Sequence, residues 1–303
     1  MAKSRRSANW LTMRRQETFA FYSFMSPWII GMVFLFAIPL VATLYLSFTK
    51  WNLLQPPQWV GLANYLRLLK PGSAFIKAMG NTAYYAVLLV PINLALSLGF
   101  AVLLNSVKFL KRFFRTAFYL PSTIPIVAVV MLWSWLLAPS GLLNQTLGLI
   151  GVQGPAWLVD PRWVKDGLII MGVWQFGGSL VLFLSGIQGI PQMYYEAAEL
   201  DGANSVQQFR HVTLPMLSPI VLFNLITGII AALQVFAQVF IITGGHNSGA
   251  TMVVPAVYQN AFEFYQMGDA STMSVVFVVV ILILTMLILR WSRRWVHYEG
   301  DEA

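Results

Sequence analysis

Glu196-Ala197-Ala198-Glu199-Leu200-Asp201-Gly202, followed after nine residues by Val212-Thr213-Leu214-Pro215, is a polar, mixed-charge stretch in an otherwise apolar chain. Pro191 suits the start of a helix over 192–200, in which Ala197, Ala198 and Leu200 are good helix formers. Gly202 permits a sharp turn or a close approach that a side chain would block. Asp201 and Asn204-Ser205 offer caps for a second helix running to about His211. Pro215 limits that helix and biases Leu214 towards an extended conformation. The expected product is a helix-turn-helix elbow that leads straight into an apolar span. A rigid elbow can pass a push into a membrane helix, which a floppy loop cannot. Glu196, on the protruding helix, can pair with an arginine of a docking partner, while Ala197 and Ala198 let surfaces approach closely. Taken singly, each acidic residue reads equally as part of a solvated loop; the composite spacing favours the docking elbow.

The surroundings of that stretch fix the fold class. Of 303 residues, 58% are hydrophobic and 10% charged, with a mean hydropathy of +0.69. Soluble domains carry about 25% charged residues, so this is an integral membrane protein. There is no cysteine, which excludes disulfides, thiolate metal sites and cysteine nucleophiles. Six stretches reach the ~20 apolar residues that cross a bilayer core: 21–49, 80–107, 116–138, 167–189, 218–242 and 271–289. None of them holds Asp, Glu, Lys, Arg or His. The first follows a basic segment but is longer than the ~7–15-residue core of a signal peptide, so it reads as a retained anchor. The expected organisation is an all-α polytopic membrane protein. It comprises a basic N-terminus (1–20), a six-helix transmembrane domain (21–291) with the elbow loop at 190–217 between spans four and five, and a C-terminal tail (292–303).

The net charge of +8 reflects membrane orientation rather than nucleic-acid binding, because no aromatic-basic groove pattern accompanies it. With the N-terminus cytoplasmic, thirteen of the nineteen Lys and Arg residues fall inside, among them Lys3, Arg5, Arg6, Lys108, Lys111, Arg112 and Arg115. That choice also places the elbow where ATP is. Trp28, Trp51, Trp59, Trp133, Trp135, Trp291 and Trp295 near span ends read as interface anchors. Pro27, Pro39, Pro91, Pro121, Pro125 and Pro219 interrupt spans and predict kinks tolerated by neighbouring helices or a cavity.

The order Glu-Ala-Ala, three residues, Gly, nine residues, Val-x-Leu-Pro resembles the coupling loop of ABC importer permeases, with Val212 where the family often has Ile. Outward from it, Leu46–Asn52 with Val60–Tyr65, Arg115–Pro121, Gly141–Asn144, Trp157-Leu158 with Asp160-Pro161, and Thr243–Gly245 with Ala250-Thr251 are similar to motifs of the maltose, glycerol-phosphate and multiple-sugar type, over roughly residues 15–295. His246 stands where that family commonly has Pro. The resemblance implies that Glu196, Ala197, Ala198, Asp201, Gly202, Leu214 and Pro215 couple the chain to an ATPase. It implies a second homologous permease subunit in a heterodimer, two ABC ATPase subunits that bind ATP and Mg, and an extracytoplasmic sugar-binding protein, all at the cytoplasmic membrane of a prokaryote. The sequence itself has no Gly-x-x-x-x-Gly-Lys-Ser/Thr loop, so no cofactor is expected on this chain. The lack of ionisable residues in the spans argues against a proton-driven carrier and against a membrane-embedded enzyme. An importer for another solute remains the rival within transport.

With no charges in the spans, uncharged polar residues are the available substrate contacts. In the fifth span Thr227, Gln234 and Gln238 fall at i, i+7 and i+11, near one helical face. In the fourth, Trp174 and Gln175 adjoin Gly177-Gly178. Amides suit sugar hydroxyls and an aromatic face suits a sugar ring. The competing role, equally open here, is hydrogen bonding between helices. No residue spacing suggests a metal site around His246.

Overall fold

The computed structural model describes residues 8–107, 109–244 and 249–297, without the side chains of 8–12. Lys3, Arg5, Arg6, Lys108, Gly245 and His246 lie outside the described residues. Among the described residues, five helices are long and apolar enough to cross a membrane: Met13–Ser47, Ala74–Ser106, Val164–Gly189, Ser218–Thr243 and Met267–Ser292. A bent pair, Lys111–Thr123 and Ile126–Leu136, makes up to a sixth. These follow the apolar runs, because a helix satisfies its backbone internally and is one of the few structures that lipid tolerates.

The third span, expected over 116–138 with kinks at Pro121 and Pro125, is broken more sharply than a kink. It turns by 98° between its two halves. Pro125 has no N–H to donate to Pro121, and the chain at Ile124 goes extended (ψ 133°) before the second helix starts. The fifth span also breaks, at Gln234–Phe236, and restarts at Ala237. The helices overrun the apolar stretches at their ends, so Lys77, Lys165, Asp166, Asp269 and Arg290 are helical residues at span termini. Among the described residues a two-residue antiparallel ladder, Thr49–Lys50 with Gln58–Trp59, follows the first span of this otherwise helical chain.

Two cores hold the bundle. The larger joins the second, third, fourth, fifth and sixth spans through Phe75, Tyr85, Val129, Leu168, Met171, Val239 and Phe277 among others. The smaller lies towards the elbow and joins Ala101, Leu104, Leu180, Phe183, Leu184, Ile187 and Leu217. On the side away from the elbow, Asn64 fastens the first span to the loop after it. Its Nδ2 donates to the carbonyls of Ser47 (3.0 Å) and Thr49 (2.9 Å). Thr272 of the sixth span donates to the same Ser47 carbonyl (2.9 Å), and Arg67 pairs with Asp269. None of residues 13–37 of the first span is buried among the described residues, and large apolar side chains there, Phe24 and Leu35 among them, are exposed.

Candidate functional site

The elbow forms as a helix, Gln192–Leu200, a turn, and a second helical stretch from Ser205. Gly202 takes φ +78°, and the N–H of Ala203 returns to the Ala198 carbonyl (2.9 Å), closing the first helix. The cap of the second helix is Asn204 alone. Its Oδ1 accepts from the N–H groups of Val206 and Gln207, and Gln207 Oε1 accepts from Asn204 N–H. Asp201 instead ends the first helix.

Leu214 is not extended; it is helical (φ −67°, ψ −43°). The five residues Phe209–Thr213 widen into a π turn in which Leu214 N–H reaches Phe209 O. Widening relieves the clash that Pro215 would make with a carbonyl four residues back, so the helix runs through it into the fifth span. The hydroxyls of Tyr195 and Thr213, 3.0 Å apart, tie the first helix to that turn.

Glu196 is exposed and makes no ion pair among the described residues. Beside it, Tyr194, Ala197, Ala198, Asp201, Gly202, Ala203, Gln207, His211 and Val212 line a crevice of about 430 Å³. Leu200 is 90% exposed and Val206 75%, two apolar studs on either side of the turn. The crevice thus combines a small-residue floor with an exposed carboxylate and apolar studs beside it. From the elbow the chain continues into the bundle. Leu217, 1% exposed, packs in the smaller core with Leu180, Phe183 and Leu184. Ser218 accepts the His297 N–H (2.9 Å) while donating to the Pro215 carbonyl (2.6 Å).

Deeper in the bundle a cavity of about 210 Å³ is framed by the second, fourth and fifth spans. Its polar lining is Tyr85, Asn93, Gln175, Ser179, Asn224 and Gln238. Asn93 Nδ2 approaches the Gly172 carbonyl (3.4 Å), while its Oδ1 is buried with no hydrogen-bond partner among the described residues. Thus Gln175 and Gln238 meet across the cavity, and Thr227, Gln234 and Trp174 lie outside it. Asn224, Gly228, Ala231 and Ala232 line it from the helix Ser218–Leu233, and Val235 and Gln238 line it from the break and the helix after it. Thr227 sits roughly 60° around the first of these helices from Asn224. Thr227 donates to Phe223 O (2.8 Å), Gln234 is exposed at the helix break, and Trp174 packs edge-on against Trp133 (6.0 Å). Sequence reasoning did not single out Tyr85, Asn93 or Asn224. The signal was present, since Asn93 and Asn224 are amides inside apolar runs.

A bundle of apolar spans with a protruding elbow and an uncharged polar cavity is the architecture of a membrane permease. Residues 92–298 match the family described as "Binding-protein-dependent transport system inner membrane component". The chain belongs to this family. It is 38% identical over 293 residues, 95% of each chain, to the probable ABC transporter permease protein YesP of Bacillus subtilis (strain 168). It is 31% identical over 289 residues to the arabinooligosaccharides transport system permease protein AraP of Halalkalibacterium halodurans, covering 93% of this chain and 90% of that one. Among solved structures, it matches a chain of a bacterial ABC transporter involved in the import of the acidic polysaccharide alginate. That match has a TM-score of 0.82 and 25% identity, over 95% of this chain and 99% of the other.

Proposed function

We propose that this permease imports a sugar or oligosaccharide across the cytoplasmic membrane, working with an extracytoplasmic sugar-binding protein, a second, different permease subunit and two ABC ATPase subunits. ATP and Mg are bound and turned over on the ATPases. Both termini and the elbow are cytoplasmic in this reading, supported by the excess of Lys and Arg on that side. Glu196 and the crevice floor receive the ATPase. Its closure pushes the elbow, and the push passes through the π turn and Leu217 into the fourth and fifth spans.

The observation that carries the choice of solute is the cavity lining. Tyr85, Asn93, Gln175, Ser179, Asn224 and Gln238 offer hydroxyls and amides with no charge among them. Such a lining suits a polyol, and an ion would be left without a counter-charge. At about 210 Å³ the cavity lies below the ~300–1,000 Å³ of sites for drug-sized ligands, which fits one sugar ring at a time. The relative named for arabinooligosaccharide transport agrees in class. The test is ATP hydrolysis by the purified four-component complex, stimulated by binding proteins loaded with a panel of solutes. Stimulation by a sugar-loaded protein is expected; stimulation only by an amino-acid- or polyamine-loaded one would overturn the reading.

A further inference from the structure

The first half of the broken third span, Lys111–Thr123, has three distinct faces. One turns into the bundle. The Phe118 ring lies 4.9 Å from that of Phe100 and 5.9 Å from that of Phe176, and Phe114 stacks on Phe118. A second face, Phe113, Ala117 and Leu120, is apolar and exposed. The third, Arg112, Arg115, Thr116, Tyr119 and Thr123, is polar and equally exposed, and its spacing of three and four residues keeps it on one side of the helix.

No residue of this helix is buried by its own chain, yet its backbone reaches deep along the fourth span. A Cβ on Gly177 would stand 2.1 Å from the Phe118 carbonyl oxygen, so the backbones touch at the middle of the fourth span. The polar face therefore climbs from the elbow side to mid-bundle and ends where the span turns by 98°. A second observation concerns its charge. Arg112 and Arg115 make no ion pair among the described residues, and the sequence holds no Asp or Glu between Glu17 and Asp160. The hydroxyls of Thr116 and Thr123 donate to their own helix, at Arg112 O (3.0 Å) and Leu120 O (2.8 Å), leaving oxygen lone pairs free. Hydrocarbon would penalise such a face, and a broken helix at membrane depth is tolerated where it is buried in protein or lines water.

We propose that this stripe is one wall of the water-filled inner half of the transport path, facing the second permease subunit across it. This rests on the importer reading above and adds the exit route to it. Solute leaving the cavity passes Thr123, Tyr119 and Thr116 and then two unpaired guanidiniums. The passage accepts neutral polyhydroxylated solutes and disfavours cations.

The chain's lack of cysteine makes the test direct. Thr116→Cys and Thr123→Cys sample the stripe; Ala117→Cys and Leu120→Cys sample the apolar face of the same helix. Each is placed in the assembled complex in a bilayer and treated with a charged methanethiosulfonate reagent. The stripe thiols are expected to react about tenfold faster or more than the apolar-face thiols, because hydrocarbon excludes a charged reagent. Stripe thiols that react no faster than Ala117→Cys and Leu120→Cys would overturn the proposal, whether the cause is burial against the partner or contact with lipid. A complex that proves to carry a solute other than a sugar leaves this pattern unchanged, so the two readings fail separately.

Discussion

The hydroxyls of Tyr195 and Thr213 lie 3.0 Å apart and join the elbow's first helix to the π turn that leads into the fifth span. Without that link the helix carrying Glu196 would hinge freely at Gly202. Tyr195→Phe removes one hydrogen bond, a loss of about 0.5–1.5 kcal/mol. Membrane insertion should be unchanged, and the amount of solute moved per ATP hydrolysed should fall. An unchanged ratio in proteoliposomes would show that the push takes another route.

The cavity assigns different roles to residues that the sequence groups on one face. Gln238→Ala and Asn93→Ala should alter which sugar-loaded binding protein best stimulates ATP hydrolysis, because both line the cavity. Gln234→Ala, exposed and outside it, should instead lower co-purification of the second permease and leave sugar preference alone. Altered preference in Gln234→Ala with intact assembly would move the solute site to the fifth-span break.

On the side away from the elbow, burial ranks two neighbours. Asn64 is 4% exposed and holds two backbone carbonyls, so Asn64→Ala should cost about 1–3 kcal/mol. Arg67, more than half exposed in its ion pair with Asp269, should cost at most ~1 kcal/mol as Arg67→Gln, and less at high salt. Thermal unfolding in detergent checks the order; a larger drop for Arg67→Gln would reverse it.

At Gly177 the Phe118 backbone leaves no room for a methyl group. Gly177→Ala should cost at least the ~1–3 kcal/mol of ordinary overpacking, since the obstacle is backbone rather than a flexible side chain. Reduced yield of monodisperse protein is the expected result; wild-type yield and stability would mean that the third span docks elsewhere.

Much of this architecture is legible before the structure. Uncharged runs such as 80–107 have one stable solution in lipid, and Pro191, Gly202 and the spacing to Pro215 bracket the elbow to within a residue or two. What escaped depends on geometry that no local pattern carries. Pro125 announces a break in the third span, yet not a turn of 98°, because a proline kink is set by what packs around it. Leu214 precedes a proline and reads as extended, but the π turn lets the helix continue. In the fifth span the spacing of the amides assumes one unbroken helix, but the break at 234–236 resets its phase, and Gln238 falls inside the cavity while Thr227 and Gln234 do not. Tyr85 is one of many aromatic residues in apolar runs, and only its neighbours across the bundle mark it.

The central claim is that ATP hydrolysis on partner subunits drives transport through the elbow. Glu196→Lys inverts the charge of an exposed side chain that makes no ion pair among the described residues. Sugar uptake driven by ATP should be measured in proteoliposomes containing the complete complex at equal protein content. The account predicts that uptake falls to background while the chain remains inserted and folded. Uptake at the wild-type rate in Glu196→Lys would contradict it.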